Sequence, residues 1–156
     1  MAVELLWSEA RFFGGSARAT ERDHWRMAAS LRDLRLWQES VALAGDLARV
    51  FRSSTRRETK ALTDRMMLTA LSVAERVADG HARYTSEEQR EVYRAARRDL
   101  LLVETQLAVA RHADLLPAVA QATLLDHIQL LHRLLAGYLV YLDRQLADAT
   151  DNQTKG

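Results

Sequence analysis

Leu124, Ile128, Leu131, Leu135, Tyr138 and Leu142 recur at intervals of 4, 3, 4, 3 and 4 residues. Only an α-helix gathers positions so spaced on one side, drifting by about 20° per heptad. A stripe this narrow is half of a seam, and another helix must cover it. The chain supplies three candidates. The first carries Leu34, Trp37, Val41, Ala44, Ala48 and Phe51, with a second stripe at Leu36, Leu43, Leu47 and Val50. The second carries Leu62, Met66, Thr69, Val73 and Val77, flanked by Met67, Leu71, Ala74 and Ala78. The third carries Val92, Ala96, Leu100, Val103, Leu107 and Ala110. Two stripes on one helix predict burial on two sides, against the bundle core and against another subunit.

Local chemistry sets the boundaries. Ser30 with Asp33 is a weak capping box for helix one, and Thr55 with Glu58 is a better one for helix two. Thr85 with Glu88, or Ser86 with Gln89, opens helix three, and the acids there suit the helix dipole. Gly80 is expected to close helix two in the left-handed conformation. Helix three is expected to end around His112 to Asp114, and Pro117 to sit in the first turn of helix four. With one Pro and six Gly in the chain, little else interrupts a helix. Short connections make sequential helices antiparallel. The expected fold is all-α, an antiparallel up-down-up-down four-helix bundle over 30–147, with an N-terminal extension at 1–29 and a polar, fraying tail at 148–156. The extension is read as partly helical or flexible. Its Trp7, Phe12, Phe13 and Trp25 are costly to leave in water.

Composition narrows the function classes. There is no Cys, so no disulfide, thiolate metal site or thiol nucleophile exists. No apolar run reaches the roughly 20 residues that cross a bilayer, and "MAVELLWSEARFF" lacks the basic start of a signal peptide. These features fit a cytoplasmic protein with no membrane partner. Net charge is +1, yet residues 49–100 hold twelve basic against eight acidic groups.

Catalytic and metal signatures are weak. His127 and His132 stand five apart, off one helical face, and no pair of Glu-x-x-His motifs marks a di-iron bundle. The other histidines, His24, His81 and His112, are isolated. Surface or interface roles are expected for all five. Glu75, Asp79 and Glu104 suit capping and ion pairing better than acid–base work. Gly14-Gly15 stands without the rest of a phosphate loop. No catalytic residue, metal or cofactor is expected.

Three segments in order, "LRDLRLWQESVALA", "SVAERVADG" and "ETQLAVA", resemble the bacterial four-helix-bundle family that includes proteins encoded by intervening sequences in 23S ribosomal RNA genes. The resemblance covers roughly residues 31–145. The family's opening pattern is matched by Asp33, Leu34 and Trp37, with Leu31 departing from Phe. Its helix-two ending is matched by Ser72, Ala78 and Gly80. Val73, Val77 and Asp79 are conservative changes there, Ala74 replaces a Pro, and Arg76 replaces an Asn. Its third helix is matched by Glu104, Thr105, Gln106 and Leu107. The resemblance implies a homo-oligomer, with a ring-shaped pentamer the expected form, and no enzymatic activity. A distantly related branch, the accessory proteins of diversity-generating retroelements, implies RNA or a reverse transcriptase as partner.

A basic surface remains. Arg90, Arg94, Arg97 and Arg98 fall at i, i+4, i+7 and i+8 of helix three, preceded by Arg83 and Tyr84. Arg52, Arg56, Arg57 and Lys60 flank the helix one–two turn, at the other end of the bundle. Arg83, Arg90, Arg94, Arg97 and Arg98 are the candidate nucleic-acid-binding residues. Two readings stay open: a phosphate-binding face for RNA, or a solvated face of local ion pairs on a protein–protein scaffold.

Overall fold

A computed structural model describes residues 30–52 and 57–154, and Leu31–Gly156 groups as one compact unit. Thr55, Arg56 and residues 1–29, with their four large aromatics, lie outside the described residues. After a 3-10 turn at Leu31–Asp33 come α1 (Arg35–Arg52), a 3-10 turn at Arg57–Thr59, α2 (Lys60–His81), α3 (Ser86–His112) and α4 (Ala118–Thr154). Each helix packs on the next, and α1 closes against α4. This is the four-helix bundle that the stripes predict.

The α4 stripe is buried at Leu124, Ile128, Leu131, Leu135 and Leu142, joined by Leu134 and Leu139, while Tyr138 is half-buried. On α3, Ala96, Leu100, Val103, Leu107 and Ala110 are buried as expected, but Tyr93 takes the place of Val92. On α1 the two stripes exchange rank. Leu36, Leu43 and Leu47 are fully buried with Phe51, whereas Leu34, Trp37, Ala44 and Ala48 are half-buried and Val41 is 43% exposed. A single α-helix buries a sector centred on one line, and Ser40, buried in that line with its hydroxyl donating to the Leu36 carbonyl, hid it in the sequence.

Helix ends differ in detail. α1 proper starts at Arg35, later than Ser30, because the Leu31–Asp33 turn is 3-10 and the Leu34 carbonyl accepts from the Trp37 and Gln38 amides. α2 starts at Lys60, and Thr59 at its N-cap makes no side-chain cap bond. Thr85 is the cap of α3: extended at φ −111° and ψ 149°, its hydroxyl accepts from the Glu88 amide. α4 continues to Thr154, past the expected start of the tail at 148, and the Thr150 hydroxyl folds back on the Leu146 carbonyl.

The expected left-handed stop at Gly80 is a correction. No described glycine has positive φ, and α2 runs through Gly80 to His81 before capping at Ala82 in the right-handed region. Gly80 is buried, and a β-carbon there would meet Tyr93 Cδ1 at 2.6 Å and Cζ at 3.2 Å. Its lack of a side chain lets α2 and α3 approach. The left-handed residue is Asp114, at φ 52°. The Leu115 amide donates to the Ala110 carbonyl and the Asp114 amide to that of Arg111, the paired bonds of a Schellman ending.

Candidate nucleic-acid interface

With Thr85 fixing its start and Tyr93, Ala96, Leu100, Val103 and Leu107 turned inward, α3 presents its arginines outward. The five candidates then separate by their partners. Arg83 donates to Asp79 across one turn at 2.8 Å, and that hydrogen bond raises its guanidinium above the usual arginine range. Arg90 reaches Asp143 of α4 at 3.3 Å. Arg94 lies 3.0 Å from Glu91 and 3.9 Å from the same Asp143. Arg97 and Arg98 are exposed and meet no carboxylate among the described residues. So the structure draws Arg90 and Arg94 into the α3–α4 seam, holds Arg83 at the α2–α3 turn, and leaves two cations of the row open.

The fold adds a residue that the helix-three pattern missed. His132 Nε2 sits 3.0 Å from Glu104 Oε2, which fixes α4 against α3 at that level. Arg133, the next residue, is exposed and without a carboxylate partner among the described residues. Its signal was present in the α4 stripe, since 133 falls opposite Leu131 and Leu135. At the far end of the bundle, Lys60 is held by Asp64 at 2.5 Å, and Arg57 is exposed.

Several of the motif residues build the α2–α3 seam. Ser72 Oγ donates to Asp99 Oδ2 at 2.7 Å, and Arg76 Nε donates to the same oxygen at 2.5 Å. Gln106 Nε2 donates to Thr69 Oγ1 at 3.2 Å. These bonds set the register of α2 on α3, with Leu107 buried beside them. Thr105 bonds its own helix at the Leu101 carbonyl. Ala78 and Asp79 supply carbonyls that take the Ala82 amide, and Gly80 takes that of Arg83. Leu34 and Trp37 pack against the core from its edge, and Asp33 is exposed in the 3-10 turn.

Two histidines, expected at the surface or at an interface, sit at helix seams against acids. His127 touches Glu39 and Asp46 of α1, and His132 touches Glu104. Periodicity carries no sign of this, because the partners lie on other helices. Among the described residues no three His, Asp or Glu side chains converge as a metal site, and no helix is long and apolar enough to cross a membrane. A depression lined by Ala108, Arg111, His112 and Asp114 is open to solvent.

Compared with known families, residues 32–137 match the model of the 23S rRNA-intervening sequence protein family. The chain belongs to that family. No curated protein matches it. The family match spans α1 to α3 and the first half of α4, so it contains the whole Arg row and Arg133. Within the matched stretch Arg76, which departs from the family pattern, pairs with Asp99 across the α2–α3 seam.

Proposed function

We propose that this protein is a non-enzymatic, self-associating helical bundle that acts as an RNA-associated accessory protein, taking RNA phosphates on the outer face of α3. The observation that carries this reading is the pair Arg97 and Arg98, exposed and unclaimed by acids among the described residues, where the neighbouring arginines are paired. Arginine binds phosphate through a planar fork of donors, and a ring of identical subunits repeats each contact. A pentamer in the bacterial cytoplasm, with RNA or a reverse transcriptase as partner, is the assembly this reading favours. Anisotropy titration with a structured RNA at two salt concentrations tests it. Binding that weakens as salt rises supports the reading, and absence of binding at low salt contradicts it.

Self-association rests on a separate observation. Leu68 is 68% exposed, Leu71 46%, Leu102 51% and Val109 50%, on the neighbouring helices α2 and α3. Large aliphatic side chains in such number on adjoining helices favour a protein contact. The same observation supports the second reading, a protein–protein scaffold without nucleic acid. A protein partner retained after nuclease treatment, with no RNA binding, would select it. Light scattering tests assembly directly: a mass several times 17.7 kDa is expected, and a monomer contradicts it.

A further inference from the structure

The α1–α4 closure differs from the other seams. His127 of α4 is 13% exposed and lies between two carboxylates of α1, with Nε2 3.0 Å from Glu39 Oε2 and Nδ1 3.2 Å from Asp46 Oδ2. A carboxylate only accepts hydrogen bonds, and a neutral imidazole donates only one. With a neutral ring, one of the two contacts therefore sets a nitrogen lone pair against a carboxylate oxygen. The imidazolium donates to both. The two acids are also oriented from behind: Arg35 Nε lies 3.8 Å from Glu39 Oε1, and Arg49 donates to Asp46 Oδ1. The oxygens turned toward His127 are thus the other ones of each pair.

We propose that Glu39, His127 and Asp46 form a proton-gated latch that fastens α1 to α4 at two points when the ring is protonated and at one when it is not. Among the described residues the charged surroundings are few. From α1 the ring faces Glu39 and Asp46, each with its arginine. On α4 the adjacent Asp126 is exposed. The facing acid of α3, Glu104, is taken by His132, and α2 lies across the bundle. The latch governs the helix whose Trp37 packs at the core edge and whose Val41 is exposed, so proton activity sets how firmly that strip is held.

Hydrogen exchange of the full chain tests the latch, with α1 amide protection read relative to α3 amides at about pH 5.5 and about pH 8.5, either side of the ordinary imidazole range and above the carboxylate range. In the wild type, relative α1 protection is expected to fall roughly fivefold at the higher pH, the size of losing one partly exposed charged hydrogen bond. In His127→Gln it is expected to stay level. Equal protection at both pH values in the wild type, or the same fall in His127→Gln, overturns the proposal. Should His127→Gln fail to fold, Asp46→Asn serves: its amide can donate to a neutral ring, so the pH response is expected to shrink, and an undiminished response overturns the latch. Ring ¹⁵N shifts give a direct reading. A fall in relative α1 protection while the His127 ring shifts stay the same at both pH values contradicts the latch.

Discussion

Gly80 of α2 faces the ring of Tyr93 of α3 so closely that a β-carbon would stand 2.6 Å from Cδ1. Tyr93 is 3% exposed and packs edge-on against Tyr138 of α4, with centroids 6.0 Å apart at 72°. Burial and the Tyr138 ring restrict its retreat. Gly80→Ala gains about 1 kcal/mol of helix propensity, yet overpacking costs about 1–3 kcal/mol. A net loss of stability is expected in urea unfolding. Adding Tyr93→Leu is expected to give less than the sum of the two separate losses, because one change relieves the clash made by the other.

Tyr93 also makes stability sensitive to alkali. Burial pushes its hydroxyl well above the ordinary value of 10.0. In the unfolded chain it ionises near that ordinary value, while the folded chain keeps it neutral. Its contribution is fully present below about pH 10 and declines as pH rises above it. Urea midpoints measured from neutral to strongly alkaline pH should therefore fall more steeply for the wild type than for Tyr93→Phe.

Asp99 accepts from both Ser72 and Arg76, and it is mostly shielded where Arg76 is 44% exposed. Removing the acceptor strands a part-buried hydroxyl, so Asp99→Ala should cost about 1–2 kcal/mol. Removing the exposed cation should cost less, about 0.5 kcal/mol. A double-mutant cycle in urea checks both, with a smaller loss in the pair than in the sum.

Asp114 holds a left-handed conformation that glycine adopts without steric penalty. The Schellman ending there is made of backbone bonds. Asp114→Gly is expected to stabilise the chain by about 0.5–1 kcal/mol, seen as a rise in Tm.

Much of this frame was legible because helix periodicity reports burial directly. Leu124 to Leu142 and Ala96 to Ala110 fell on their predicted faces, and Thr85 capped where its capping box placed it. Gly80 misled because a glycine near a helix end signals a left-handed stop or a close approach equally well, and only the partner ring decides. On α1, Ser40 interrupted the true core line, so the half-buried Trp37 line looked stronger. The arginine row was visible in spacing, and so were its local acids Asp79 and Glu91, but its cross-seam acid was not. Asp143, which meets Arg90 and Arg94, lies on α4, and pairing across a seam leaves no periodic trace.

Salt dependence in variants of single arginines tests the phosphate-binding face most directly. Arg97 and Arg98 are open, and Arg83 is held by Asp79. If α3 takes RNA phosphates, Arg97→Ala with Arg98→Ala should weaken structured-RNA binding and flatten the slope of log K against log salt by about 1.5, near the value for two lost phosphate contacts. Arg83→Ala should change the slope little. An unchanged slope in the double variant, or an equal change in Arg83→Ala, would contradict the account.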